Sequence, residues 1–200
     1  MTVSKCLFFD TDFGKMGVAA NETGLTSCYL PGEAPKEALP REDDLTDEWA
    51  CGAGSEAVAG LLRDAERQIA EYFRGRRREF DLPVSPAGTA FMKRVWEEFL
   101  LIPYGKTATY AQVAARTGHP GAFRAVGLAC NRNPLPIIIP CHRVVGSSGG
   151  PAKGCGGIVP VRYKLTGYRG GLLMKERLLT MEAERRPERV NPETVASLDS

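Results

Sequence analysis

Residues 131–149 read Asn131-Arg132-Asn133-Pro134-Leu135-Pro136-Ile137-Ile138-Ile139-Pro140-Cys141-His142-Arg143-Val144-Val145-Gly146-Ser147-Ser148-Gly149. The apolar run from Leu135 to Ile139 has to be buried, and it delivers a thiol, an imidazole and a guanidinium at consecutive positions. Cysteine is a nucleophile only as the thiolate, and nearby cations or a hydrogen-bonded histidine lower its pKa. Neighbours on a regular strand point to opposite faces. Cys141 and His142 can therefore cooperate only if Pro140 bends the chain or a water links them. The alternative is a buried structural cysteine beside a polar turn, since free cysteine is among the most buried residue types.

Upstream of this stretch the pattern is helical. Thr89 to about Leu101 places Phe91, Met92, Val95, Trp96, Phe99 and Leu100 on one stripe, and Pro103 ends it. Thr109-Tyr110-Ala111-Gln112 is a capping box, with Thr and Gln three apart satisfying the amides at a helix start. That helix ends near Gly118, and another runs from Ala122 to Asn131, so the pair reads as a helix-turn-helix. Its second helix presents Ala122, Ala125, Gly127 and Ala129 together with Arg124 and Arg132. Small side chains allow close approach of either a packed helix or a nucleic-acid groove; the two arginines favour DNA, and the scarcity of long polar side chains suits sequence-independent binding better than major-groove base readout. A last helix is predicted from about Gly170 to Glu184 with Leu172, Leu173, Leu178 and Leu179 inward.

The N-terminal part shows short strands at Val3–Phe9 and Leu25–Leu30 and an acidic, proline-containing loop over 33–54. A helix from Glu56 to Arg74 follows, capped by Ser55, with Val58, Leu61, Leu62, Ala65, Ile69, Tyr72 and Phe73 on one stripe. Asp81 to Gly88 reads as a linker, giving domains at 1–84 and 85–182 and a polar, flexible tail at 183–200.

The net charge of +2 hides an asymmetry. Residues 1–84 carry 10 Lys/Arg against 16 Asp/Glu, whereas residues 85–182 carry 13 against 4. A basic block that also holds the motifs is the footprint expected for a polyanion partner. With 43% apolar and 25% charged residues the composition is that of an ordinary globular protein, and no apolar stretch approaches the roughly 20 residues of a membrane span. Met1–Asp10 lacks the features of a secretion signal, and the six cysteines show no tight pairing pattern, so a reducing compartment is expected: cytoplasmic in a prokaryote, nuclear in a eukaryote.

On the Asn133-Pro134 start and the Pro140-Cys141-His142-Arg143-Val144 core, the chain resembles the O6-alkylguanine-DNA alkyltransferases. The likeness runs from about Thr89 to Glu182, with a fainter echo over Thr11–Gly32. It implies a two-domain α/β protein, a ribonuclease-H-like N-terminal domain followed by a winged-helix-like domain with a helix-turn-helix. It also implies direct DNA repair, with an alkyl group passing irreversibly from O6-alkylguanine, and less surely O4-alkylthymine, to Cys141. His142 would be the base, linked to Cys141 through a water and oriented by Glu182, which is the triad logic on another fold. Arg124 would fill the space of the extruded base and Tyr110 would contact the flipped nucleotide. Pro136 and Tyr168 would wall the pocket, and backbone groups of Cys141, Val144 and Arg169 would face the guanine edge. Arg143 is counted with the substrate and DNA residues, and Asn133 would brace the turns before Cys141.

Between Ser147-Ser148-Gly149 and Lys164-Leu165-Thr166-Gly167-Tyr168 the chain departs from the family by an insertion, Gly150–Tyr163, expected to sit on the surface and modulate lesion access. His119 and His142 are the only histidines, and Cys6 with Cys28 cannot close a tetrahedral site, so no zinc and no cofactor are expected. The expected partner is double-stranded DNA bearing O6-alkylguanine, bound by a monomer. A non-enzymatic lesion sensor, and a winged-helix regulator with a reactive cysteine, are the rival functions.

Overall fold

The computed structural model describes residues 5–33, 55–147 and 165–185. The acidic segment 34–54, the 150–163 insertion and the tail beyond 185 lie outside the described residues.

The N-terminal domain is an antiparallel meander of β1 (Lys5–Thr11), β2 (Gly14–Asn21) and β3 (Gly24–Tyr29), with Leu7 opposite Val18 and Val18 opposite Cys28. The middle strand was not expected, because its glycines and alanines look like connecting turn. One of them is required sterically: a Cβ on Gly17 would collide with the Phe8 ring, which lies stacked on Tyr29. The sheet buries Met16, Val18, Leu25 and Cys28 against α1 (Glu56–Phe73), whose Ser55 cap and inward stripe match the expected pattern. The linker is tied down rather than free. Leu25 N donates to Pro83 O at 2.8 Å and Ser85 N to Leu25 O at 2.7 Å, extending the sheet edge by one parallel bridge.

In the second domain, α2 (Ala90–Leu100) starts on the Thr89 cap and buries Met92, Val95, Trp96 and Phe99. The Trp96 indole donates to Ala129 O at 2.9 Å, fixing α2 against α4 (Phe123–Asn131). The capping box at Thr109 and Gln112 opens α3 (Tyr110–Arg116), so the helix-turn-helix forms as the sequence indicates. Among the described residues the strands of this domain are β4 (Ala108–Thr109) and β5 (Val144–Val145), a short parallel pair rather than the hairpin of a wing. That pair anchors the far end of the Cys141 segment beside the start of α3.

The inward face of α5 (Gly171–Glu184) differs from expectation. Leu172 and Leu173 are 49% and 63% exposed, while Met174, Lys175, Leu178, Leu179 and Glu182 are buried. The true stripe carries a lysine and a glutamate inward because each meets hydrogen-bond partners there, so apolarity alone picks the wrong residues for the first turn.

Candidate active site

Cys141, His142 and Arg143 form a single 3-10 turn after Pro140, so the chain bends and all three side chains are buried. The approach to this turn is strained. Ile137 sits at φ 76°, a left-handed conformation that costs a β-branched residue roughly 1–3 kcal/mol. Asn133 holds the loop in place. Its Oδ1 accepts from Leu135 N at 3.0 Å, and its Nδ2 donates to Ile139 O at 2.8 Å and to Cys141 Sγ at 3.1 Å. Asn133 thus braces the turns and also touches the thiol. Removing buried partners of this kind leaves backbone groups unsatisfied, at about 1–3 kcal/mol each. Asn133→Ala is therefore expected to lower stability by at least about 2 kcal/mol in urea unfolding. The same variant should react more slowly at Cys141, since the loop that presents the thiol loses its brace.

Glu182 is the hub beneath the turn. Its Oε1 accepts from His142 Nε2 at 3.1 Å, Arg143 at 2.8 Å and the Tyr72 hydroxyl at 2.7 Å, and its Oε2 from Gly105 N at 3.0 Å. Burial would push this carboxyl up, but the hydrogen bonds from His142 and Arg143 and the Arg143 charge outweigh it and hold it well below the ordinary range. His142 is driven the other way: burial lowers its pKa despite Glu182, so the ring is neutral at pH 7. With Nε2–H pointed at Glu182, the lone pair lies on Nδ1, which has no protein partner among the described residues. Burial raises the Cys141 thiol pKa, opposed by Asn133, Lys175 and Arg169, so the resting group is the thiol and a base is needed to activate it.

Lys175 was not singled out from the sequence, yet it is fully buried. Its Nζ donates to Val144 O at 2.7 Å and Thr166 O at 3.0 Å, joining the two segments that flank the insertion. From the sequence, Tyr72 is simply one of the apolar-stripe residues of α1. A tyrosine at a core position always needs an outlet for its hydroxyl, and that was the available signal.

The remaining expected site residues divide into two sets. Tyr110 lines an open cleft of about 500 Å³ with Phe123, Gly127, Asn131, Ser147 and Thr166, and accepts from the Thr166 hydroxyl at 3.0 Å. Burial and the nearby Cys130 and Cys141 push its pKa up to about 12, so it stays a neutral donor. Arg124 is exposed beside the cleft-lining Phe123, its guanidinium 5.9 Å from the Phe123 ring centre. Arg143, by contrast, was expected to meet substrate or DNA and instead turns inward. It binds Glu182 and donates to Ile102 O at 2.7 Å, because a buried carboxylate needs a counter-charge. Pro136 is buried within the strained loop and Tyr168 sets its ring edge-on to His142 at 6.5 Å, and neither lines the cleft formed by the described residues. The Val144 carbonyl is engaged by Lys175. Arg169 spans the domains, donating to Asn133 O and Cys28 O at 2.9 Å each and pairing with Glu33 at 2.7 Å. Among the described residues no group of three or more His, Cys, Asp or Glu side chains is placed to hold a metal.

Comparison with known proteins decides the family. Residues 5–86 match the ribonuclease-like domain of 6-O-methylguanine DNA methyltransferase, and residues 90–184 match its DNA-binding domain. A methylated-DNA–protein-cysteine methyltransferase of Methanosarcina barkeri is 51% identical over 174 residues, covering 86% of this chain and 93% of its own length. The chain belongs to the 6-O-methylguanine DNA methyltransferases.

Solved structures of this methyltransferase family agree in fold. The O6-methylguanine methyltransferase of Mycobacterium tuberculosis superposes with a TM-score of 0.67 at 33% identity, over 93% of this chain and 96% of that one. A structure of the Mycobacterium tuberculosis protein in complex with DNA gives 0.67 at 36% identity, over 92% and 95%. The two-domain arrangement expected from the sequence is therefore the family fold, and the second domain is a DNA-binding domain.

Proposed function

We propose that the protein repairs O6-alkylguanine in duplex DNA by transferring the alkyl group to Cys141 in one irreversible displacement. The support is the buried chain Cys141–His142–Glu182, in which Glu182 accepts from Nε2–H and the basic Nδ1 has no partner among the described residues. A water bridging Nδ1 to Sγ would carry the thiol proton to His142. The sulfur then forms a bond to the alkyl carbon as the carbon–O6 bond breaks, and the guanine leaves as an anion that takes up a proton. Tyr110, which lines the cleft, would donate that proton and regain one from solvent. A thioether has no leaving group, so each molecule acts once. O4-alkylthymine is a second substrate on the same chemistry.

DNA binding rests on the basic second domain, with the boundary at 84/85 and the protein acting as a monomer in the compartment that holds the chromosome. Among the described residues no helix is long and apolar enough to cross a membrane. Arg124, exposed at the start of α4, would enter the duplex as the target base leaves, at a cost of a few kcal/mol of stacking and pairing. Arg124→Ala is accordingly expected to slow repair of methylated duplex far more than reaction with free O6-benzylguanine. Equal slowing of both in single-turnover kinetics would remove that role.

Intact-mass and peptide analysis after mixing with O6-methylguanine DNA tests the reading. One added methyl group on Cys141 is expected. No added mass would make the protein a lesion sensor, and a methyl on Cys130 or Cys155 would move the acceptor.

A further inference from the structure

The thiol-activating network does not belong to the second domain alone. Tyr72 lies in the last turn of α1 in the ribonuclease-like domain, fully buried, and its hydroxyl donates to Glu182 Oε1 at 2.7 Å. The same Oε1 holds His142 Nε2, and the Tyr72 oxygen lies 3.4 Å from that nitrogen. We propose that Tyr72 is a positioning residue for alkyl transfer, setting the tautomer and basicity of His142 from the opposite domain. This rests on the assignment of His142 as the base for Cys141.

The geometry carries the role in two ways. A tyrosine hydroxyl has one proton, and the short contact commits it to Glu182, so its lone pairs face His142. Both groups around Nε2 are then acceptors, and only the Nε2–H tautomer avoids opposing lone pairs. That tautomer leaves Nδ1 basic. The second effect is on charge. The donated proton disperses the Glu182 anion and so tempers its pull on a proton at His142. The other groups facing this cluster are Arg143 from the same 3-10 turn, Tyr104 after α2, and Lys175 on α5. Arg143 and Lys175 oppose a proton on His142, and the Tyr104 hydroxyl has no partner among the described residues.

Tyr72→Phe removes one oxygen and keeps the ring that packs on Phe73, Phe80 and Tyr104. With free O6-benzylguanine, which needs no base extrusion, the rate of Cys141 alkylation should fall about tenfold, the scale of one hydrogen bond to a charged group. The acid limb of the pH–rate profile should move to higher pH, because Glu182 then favours a proton on His142 more strongly. Tyr104→Phe, which deletes a neighbouring hydroxyl without a partner, should leave that limb in place. The chain has only two histidines, so ring nitrogen-15 NMR reads His142 directly. It should show Nε2–H in the wild type and a raised pKa in Tyr72→Phe. An unchanged His142 titration and rate in folded Tyr72→Phe would overturn the proposal, as would an equal shift in Tyr104→Phe. Should Tyr72→Phe fail to fold, wild-type His142 found as the Nδ1–H tautomer would overturn it equally. Failure of wild-type Cys141 to take up the benzyl group would instead count against the transfer reading itself.

Discussion

Cys141→Ser is expected to abolish alkyl transfer while leaving DNA affinity close to that of the wild type. The serine hydroxyl fits the same space, but its proton is far harder to remove and its oxygen is a much poorer nucleophile for an alkyl carbon. On the proposed reading, the electrostatic contribution to DNA binding would come from arginines on other surfaces, such as the exposed Arg124 and Arg132. Binding of both the wild type and Cys141→Ser should fall steeply with salt, because released counterions would drive both. Single-turnover transfer from labelled O6-methylguanine duplex, paired with salt-dependent binding isotherms, checks both halves. Methyl transfer by the serine variant at a measurable rate would show that another group is the acceptor.

Glu182→Gln should have the largest effect on stability. The substitution keeps the shape of the side chain but strips the counter-charge from buried Arg143 and turns one acceptor oxygen into a donor that faces other donors. Breaking a buried pair in this way costs about 3–5 kcal/mol, which lowers Tm by about 10 °C in a protein of this size. In the fraction that remains folded, transfer should slow about 10²–10⁴-fold, the range for loss of general-base function. Calorimetry and O6-benzylguanine kinetics below the lowered Tm measure the two effects separately. A Tm within a degree or two of wild type would show that the ion pair contributes little.

The same cluster sets the acid response of the wild type. His142 binds a proton more weakly folded than unfolded, so the unfolded chain carries more protons below the ordinary histidine value of 6.5 and stability declines from there as pH falls. Glu182 is depressed, so its contribution is complete above the ordinary value of 4.5 and is lost as pH drops below it. Urea titrations should therefore show two successive losses on acidification. The second should shrink in Glu182→Gln to the part left by Glu71, which hydrogen bonds from Arg77 and Arg67 also hold below the ordinary value.

Much of the local structure is legible in the sequence. The caps at Ser55, Thr89 and Thr109 and the stripes of α1 and α2 are local patterns, each set by residues within a few positions of one another. The Asn133–Val144 stretch marked the nucleophile by type and neighbourhood. Strand β2 escaped because Gly17 is required by the Phe8 ring on the adjacent strand, a contact that only pairing creates.

The chain by itself determined the helix caps, the helix-turn-helix and the candidacy of Cys141 and His142, because these rest on short-range periodicity and on residue chemistry, whereas the two-domain α/β class and Glu182 followed from the resemblance to the alkyltransferases. Only the tertiary structure decided where the buried charges go. Arg143 turns inward to Glu182, Lys175 ties Val144 to Thr166, and Tyr72 reaches the same carboxylate from a helix in the other domain. The reason is physical: a buried charge is tolerated only beside partners that satisfy it, and those partners come from segments as far as 110 positions apart in the chain.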